Sequence, residues 1–243
     1  MMVGKKALLG LMIITICLVA GAIGLGRPWE SRAADLSTIR AQRLSGVKAD
    51  LAQRGLTLGS PILIRIFKQS DELELWIKKG ETFQLYKTFP ICAWSGELGP
   101  KLKEGDGQAP EGLYTVGRAQ MKPDSQYHLA FNLGYPNAYD RANGRTGSFL
   151  MVHGNCVSIG CYAMTDTGIE EIWLIADEAL KGGQSAFQVH SFPFRMTEDN
   201  MDRHQSSPWR GFWQSLKPAY DDFEQRRVAP KVSVVNKAYK VDM

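Results

Sequence analysis

Residues 62–94, ILIRIFKQSDELELWIKKGETFQLYKTFPICAW, decide the fold class of this chain. β-Branched and aromatic side chains are frequent in the stretch, and such residues favour strands. Leu73, Leu75 and Ile77 fall on one face of an alternating segment, and Lys79-Gly80 separates it from the next one. The stretch therefore predicts an antiparallel meander of short strands.

The segments that follow add further strands and a helix. Four have the short apolar pattern of strands: LYTVGRAQ (113–120), YHLAFNLGY (127–135), SFLMVHG (148–154) and SAFQVHSFPF (185–194). Residues 167–183 have apolar side chains at helical spacing, with Thr167 and Glu170 as a capping box at the start. Residues 95–112 contain five glycines and two prolines, so they predict a long loop that could act as a lid.

The fold class predicted from these segments is α+β, mainly antiparallel β with one central helix. The main domain should cover residues 60–197, and residues 198–243 should form a C-terminal helical extension. An aromatic stripe at helical spacing runs through residues 207–225, with Ser207 and Pro208 at its start. Pro218 should kink or break that helix.

The first 26 residues predict an export signal. Lys5 and Lys6 precede 20 uncharged residues, 7–26, which form either a signal peptide or an uncleaved anchor in the cytoplasmic membrane. With the lysines retained inside, the body of the chain lies outside that membrane. Residues 27–59 are mildly helical in pattern, so we expect a linker or helical tether, with a helix packed on the domain as the alternative.

Composition and charge exclude some classes of partner. The chain is 44% hydrophobic and 22% charged, as globular proteins are. Apart from Lys5 and Lys6, 27 basic residues stand against 25 acidic ones, so the body is nearly neutral. We expect no nucleic acid partner, because such binding needs a basic surface.

The stretch HGNCVSIGC, residues 153–161, concentrates the residues that carry chemistry. His153, Cys156 and Cys161 fall within nine positions, and Cys92 brings the cysteines of the exported body to three. An odd count leaves at least one thiol free unless the chain pairs with another. The three residues could be ligands of a zinc site, members of a disulfide, or a nucleophile with its base.

The three interpretations assign different roles to the cysteine sulfurs. A zinc site would need a fourth ligand from far away in the sequence. A Cys156–Cys161 disulfide would close a very short loop and leave neither sulfur free to react as a thiol. A Cys92–Cys156 disulfide would instead fix the loop and leave Cys161 free.

A free Cys161 would be a suitable nucleophile for acyl transfer. The imidazole of His153, at the end of an apolar strand, would lower the pKa of the thiol through an ion pair, so Cys161 should alkylate near or below neutral pH. Amide N–H groups at Gly160 and Cys161 could face a developing oxyanion. Ser158 could orient the imidazole or bind substrate. This chemistry needs no metal and no cofactor, and we expect neither.

Several motifs resemble those of one bacterial enzyme family. HGNCVSIGCYAM (153–164) resembles the His-Gly…Ser-x-Gly-Cys signature of the YkuD-type L,D-transpeptidases, and GDGQAPEGLYTV (105–116) resembles another segment of that family. The resemblance includes FNLGYPNAYDRANG (131–144) and FPFRMT (192–197), so it extends over residues 60–236. Within the family, the chain is similar to the YafK branch.

The resemblance implies a fold and an activity. The fold is a YkuD-like β-sandwich or barrel, and the substrates are peptidoglycan stem peptides in the periplasm. Cys161 would attack the bond after the L-centre of meso-diaminopimelate with His153 as base, while Gly154, Ser158 and Gly160 shape the site. The alternatives are hydrolysis of the same bond, including release of a murein-linked outer-membrane lipoprotein, and a wall-binding module without activity.

Three further residues are candidates for substrate binding. Arg141 could hold a substrate carboxylate through its planar guanidinium, and Tyr135 and Tyr139 could line the groove. We expect the remaining histidines, His128, His190 and His204, to be structural.

Overall fold

The computed structural model of the protein describes residues 34–242. The predictions for residues 1–26, and for the first part of the 27–59 segment, lie outside the described residues. No helix within residues 34–242 combines the length and the apolar character needed to cross a membrane.

Most of the described secondary structure is β. The strands are β1 (Ile62–Phe67), β2 (Glu72–Lys79), β3 (Thr82–Trp94), β4 (Gly112–Gly117), β5 (Met121–Lys122), β6 (Ala130–Asn132), β7 (Met151–His153), β8 (Tyr162–Met164), β9 (Ala186–Phe192), β10 (Lys231–Val235) and β11 (Ala238–Asp242). The helices are α1 (Leu36–Gln53), α2 (Ala138–Ala142), α3 (Asp166–Lys181), α4 (Glu198–Arg203) and α5 (Arg210–Arg226).

Nine strands form one sheet in the order β4-β9-β1-β2-β3-β8-β7-β6-β5. The outermost strands, β4 and β5, are consecutive in the chain and joined by a single 3₁₀ turn at Arg118–Gln120, so the sheet is nearly closed. Most neighbouring strands are antiparallel, and the pairs β1·β9 and β7·β8 are parallel. Closure of this kind leaves few free strand edges.

The predicted meander supplies the middle of the sheet. β1, β2 and β3 pair as antiparallel neighbours, and every residue of β1 is buried. β3 is the longest strand and joins the two halves of the sheet. Up to Pro90 it pairs with β2, and from Ile91 onward it pairs with β8, with an irregularity between Ile91 and Ala93. The meander thereby sets where β8, and the residues just before it, lie.

The predicted central helix is α3, and the mixed, mainly β fold class is confirmed. α3 contacts β6, β7 and β9 on one side and α1 on another. Its buried residues include Ile169, Ile172 and Trp173, and the indole N–H of Trp173 donates to the carbonyl of Ala130 at 3.0 Å. The helix begins two residues earlier than predicted, since Thr165 rather than Thr167 accepts the capping hydrogen bond from Gly168.

The described part of the 27–59 segment is part of the domain and not a free tether. α1 buries Ile39, Val47 and Leu51 in the main core. Arg40 also forms an ion pair with Asp177 of α3, at 2.7 Å. The recurrence of apolar residues eight and twelve positions after Ile39 was the sequence signal for this packing.

The C-terminal segment differs from the helical extension predicted for residues 198–243. After α4 and α5 the chain ends in a two-stranded hairpin, β10–β11. Asn236 and Lys237 at its turn both have positive φ, as a two-residue hairpin turn requires. α5 runs through Pro218 without ending, so Pro218 does not break the helix. Aromatic side chains hold α5 on the sheet; Phe223, for example, packs edge-on against Trp76.

Replacing Leu51 by alanine tests whether α1 is an integral layer. Leu51 is fully buried, so its truncation should lower the free energy of unfolding by about 2–5 kcal/mol. Chemical denaturation of the full-length protein measures this, with Lys48→Ala on the exposed face of α1 as the matched control. Equal stabilities of the two variants would show that α1 is a detachable tether.

Candidate active site

Two neighbouring strands bring the main predicted site residues together. β7 ends at His153, and β8 begins one residue after Cys161. In the parallel register of these strands His153 lies opposite Ala163. Because side chains alternate along a strand, Cys161, two residues before Ala163, falls on the same face as His153. Both side chains line one cavity of about 500 Å³.

The hydrogen bond of His153 sets its tautomer. Its Nδ1 lies 2.6 Å from the carbonyl oxygen of Gly154. A carbonyl can only accept, so Nδ1 carries the proton and Nε2 keeps a lone pair. Burial lowers the pKa of His153 below its ordinary value of 6.5, and the bond to Gly154 opposes this shift. The imidazole is therefore neutral at pH 7, with Nε2 available as a base.

Cys161 is the free cysteine among the described residues, and it is half-buried. Burial raises the pKa of its thiol above the ordinary value of 9.0, while the backbone of Met151 and the positive charge of Lys101 act against the rise. The sulfur also lies 3.6 Å from the carbonyl of Phe149. At neutral pH the cavity thus holds a thiol and a neutral imidazole, and not the ion pair expected from the sequence.

A disulfide joins Cys92 in β3 to Cys156 in the loop between β7 and β8, with the two Cα atoms 5.2 Å apart. This pairing leaves Cys161 free and occupies the sulfur of Cys156. Cys156 can then be neither a partner of Cys161 nor a ligand in the zinc site considered from the sequence. The bridge also ties the loop to the middle of the sheet.

The amides next to the thiol are already hydrogen-bonded. The N–H of Cys161 donates to Ser158 Oγ at 3.0 Å, and that hydroxyl donates to the carbonyl of Cys161 at 2.7 Å. The N–H of Gly160 donates to Ser95 Oγ at 2.5 Å. The Ser158 hydroxyl therefore shapes the loop around the thiol, and its proton goes to the Cys161 carbonyl rather than to the imidazole. Either amide would reach a substrate oxyanion only after exchanging its hydroxyl partner.

Gly154 is required at its position by close packing. A Cβ atom there would lie 2.6 Å from Asp166 Oδ1 and 2.9 Å from the Cβ of His128. The same Asp166 oxygen accepts from the N–H of Asn155 at 2.7 Å, so it is not free to move away. Gly154 thus acts by letting the chain after His153 approach α3, while its carbonyl orients the imidazole.

The cavity has an apolar rim that the sequence did not reveal. Four large apolar side chains that line it are exposed: Tyr127, Phe149, Val157 and Ile159. Ile159 is 89% exposed and Phe149 73%, although such side chains are usually withdrawn from water. Lys122 and Asp124 add one charge of each sign to the same wall.

The sequence is similar to those of known proteins over most of its length. The family model of the YkuD L,D-transpeptidase catalytic domain matches residues 62–182. "Putative L,D-transpeptidase YafK" of Escherichia coli (strain K12) is 55% identical over 184 residues, which are 76% of this chain and 75% of that protein. The chain belongs to the YkuD L,D-transpeptidase family.

Solved structures resemble the chain more distantly. The helical cell shape determining protein Pgp2 from Campylobacter jejuni has a TM-score of 0.43 at 16% identity, covering 78% of this chain and 80% of that one. Bd1075 from Bdellovibrio bacteriovorus has a TM-score of 0.37 at 20% identity, covering 68% and 60%. Membership of the family therefore rests on the sequence match.

Three residues expected to bind substrate lie away from the cavity of this L,D-transpeptidase family member. The ring of Tyr135 is buried, and its hydroxyl donates to the carbonyl of Lys101 at 3.1 Å. Tyr139 is buried against Tyr239, with ring centroids 4.4 Å apart. Tyr139 and Arg141 line a different cavity. The reason is that Tyr135 lies just before α2 and Tyr139 and Arg141 lie within it, and α2 packs near the hairpin β10–β11.

The 95–112 loop is anchored from inside the domain. The buried Lys68 ammonium donates to the carbonyls of Glu97, Gly99 and Ala109, at 2.7–3.2 Å, and to the carboxylate of Glu111 at 3.1 Å. Burial lowers the pKa of Lys68, and the attraction of Glu111 opposes this. The segment is thus a fixed support behind the thiol loop and not the lid considered from the sequence.

Alkylation of Cys161 by iodoacetamide tests whether the Cys161 thiol and the His153 imidazole are both uncharged at neutral pH. Because burial raises the thiol pKa, the thiolate fraction at pH 7 should be smaller than that of an exposed cysteine, and the rate should keep rising up to pH 9 and beyond. Mass spectrometry of the peptide containing Cys161, taken from the full-length protein, gives the rate at each pH.

His153→Ala is the companion variant for this profile. The midpoint of the pH dependence of alkylation in this variant should stay close to that of the parent, because a neutral imidazole adds no charge to stabilise the thiolate. A parent rate that already levels off below pH 7, and a large upward shift in the variant, would show that the two residues form an ion pair.

Proposed function

We propose that this protein is an exported cysteine acyltransferase of peptidoglycan. Its substrate would be a stem peptide, and the bond cleaved would be the one following the L-centre of meso-diaminopimelate. One observation carries the proposal: the free thiol of Cys161 and the basic Nε2 of a neutral His153 belong to the same open cavity.

The first half of the reaction forms a thioester. As the sulfur of Cys161 attacks the carbonyl carbon, its proton passes to Nε2 of His153. The tetrahedral oxyanion then collapses, the C–N bond breaks, and the leaving amine takes the proton from His153. The hydrogen bond from Nδ1 to Gly154 stays in place throughout and stabilises the transient imidazolium.

The second half of the reaction returns the thiol. An acceptor N–H or O–H gives its proton to Nε2 and attacks the thioester carbon, and the sulfur leaves to recover its proton from His153. An amine acceptor completes a cross-link, whereas water completes a hydrolysis.

We also propose that the domain lies in the periplasm. The substrate is found outside the cytoplasmic membrane, and the Cys92–Cys156 disulfide is of a kind that persists in an oxidising compartment. Cell fractionation followed by thiol labelling checks this: both cysteines should resist labelling in the exported fraction. Reduced Cys92 and Cys156 in freshly isolated cells would contradict the location.

Incubation of the full-length protein with diaminopimelate-type sacculi, followed by mass analysis of the fragments, tests the activity. Cys161→Ala should yield no product, because no other described thiol is free. His153→Ala should slow turnover about 10²- to 10⁴-fold through loss of the general base. His204→Ala is the matched histidine control, because His204 stacks on Phe194 outside the cavity, and it should keep the parental rate.

The products distinguish the possible acceptors. Larger dimers identify transfer to an amine, and shortened stems or a released protein identify hydrolysis. A Cys161→Ala variant with the parental rate would refute the mechanism. Parental protein that binds sacculi without producing any fragment would show a wall-binding module instead.

A further inference from the structure

Phe149 combines two features that are unfavourable for a phenylalanine. Its φ is +54°, in the left-handed region where a Cβ atom crowds the neighbouring backbone. Of the described non-glycine residues with positive φ, it is the one with a purely hydrocarbon side chain. The ring is also 73% exposed, so its burial does not offset the backbone strain. Strain of this kind points to a function of the residue.

The pattern of burial along this segment aims the ring of Phe149 at the active site. Phe149 lies two residues before β7 begins at Met151. Leu150 and Val152 are buried in the main core, whereas Phe149, Met151 and His153 line the cavity that contains the thiol. Side chains along an extended segment alternate between its two sides, and the exposed ring therefore lies on the same side as the imidazole.

The backbone of Phe149 lies beside the attacking atom. Its carbonyl oxygen is 3.6 Å from the sulfur of Cys161. A carbonyl carbon under attack must lie at that sulfur, so the substrate atoms next to it come close to Phe149. In the proposed substrate these atoms are the L-centre of meso-diaminopimelate and its side chain, in which three methylene groups lead to the D-centre.

The walls of the cavity match the rest of this side chain. Val157 and Ile159 are exposed apolar residues of the same cavity, and they extend the surface offered to the methylene groups. The D-centre carries one ammonium and one carboxylate, and Lys122 and Asp124 put one charge of each sign in the lining. An apolar arm with a zwitterionic end therefore suits this cavity.

We propose that Phe149 is a specificity-determining residue: its ring covers the methylene groups of the diaminopimelate side chain while the scissile carbonyl lies at Cys161. The identity of the substrate rests on the proposed function. The left-handed backbone has a role in this arrangement, because it holds the ring at the cavity before the substrate arrives and so lowers the entropic cost of binding.

Binding of synthetic stem tetrapeptides to the full-length Cys161→Ala variant tests the proposal without turnover. The peptides differ only at the diaminopimelate position, which holds meso-diaminopimelate, norleucine or alanine. Norleucine keeps the methylene groups and lacks the charged D-centre, whereas alanine lacks both. Amide chemical shifts of the ¹⁵N-labelled variant should show that the norleucine peptide binds at least about tenfold more tightly than the alanine peptide.

A second substitution in Cys161→Ala assigns this preference. With Phe149→Asn, the norleucine and alanine peptides should bind within about twofold of each other. Phe149→Tyr keeps the ring and should keep the preference. Leu85→Asn is the matched control and should also keep it, since Leu85 of β3 is a 43% exposed leucine outside the cavity. A preference that survives Phe149→Asn, or no binding of the diaminopimelate and norleucine peptides, would overturn the proposal.

Thermal unfolding of Phe149→Asn separates this role from a structural one. Asparagine tolerates the left-handed region, and loss of an exposed ring removes little packing, so the melting temperature should not fall below that of the parent. A fall of more than about 5 °C would show that the ring holds the fold together, and would overturn the proposal.

The sacculus assay gives an independent answer on activity. If the parental protein releases fragments while Phe149→Asn leaves the norleucine preference unchanged, the role of Phe149 is wrong and the activity stands. If the preference disappears in Phe149→Asn while the parental protein releases no fragment, Phe149 binds the side chain and the proposed activity is wrong.

Discussion

The hydrogen bond from His153 Nδ1 to the carbonyl of Gly154 is the interaction on which the proposed chemistry depends. It fixes one tautomer of a buried imidazole and so decides which nitrogen can accept a proton. With the opposite tautomer, Nε2 would be a donor and could not act as a base toward Cys161. The carbonyl of one neighbouring residue thus replaces the carboxylate that orients the base in many catalytic triads.

The neighbouring elements of the fold fix the positions of that hydrogen bond and of the Cys161 thiol. β7 and β8 are a parallel pair within a mainly antiparallel sheet, and His153 at the end of β7 lies opposite Ala163, two residues after Cys161. α3 packs so closely on Gly154 that no side chain fits there. The disulfide from Cys92 to Cys156 and the Ser95 hydroxyl hold the intervening loop from the other side. The loop that carries Cys161 is therefore held by contacts on both flanks.

Features that depend on residues close together in the sequence could be predicted from it. The meander and α3 follow from alternation and helical spacing, and a short motif pointed to the free Cys161 and the His153 that line one cavity. Features set by distant contacts could not be read in this way. The direction of both active-site pKa shifts comes from burial by the whole fold. Arg141 lies in a second cavity because α2 packs near the hairpin β10–β11, which is distant in sequence; Asn143 and Lys237, for example, are hydrogen-bonded across a separation of 94 residues.

The protonation state of His153 is the most direct test of the proposed chemistry. Nitrogen and carbon chemical shifts of a selectively ¹⁵N,¹³C-labelled histidine ring, recorded on the full-length protein at pH 7, report tautomer and charge together. We expect a neutral ring with its proton on Nδ1. A ring protonated on Nε2 alone, or an imidazolium carrying both protons, would contradict it.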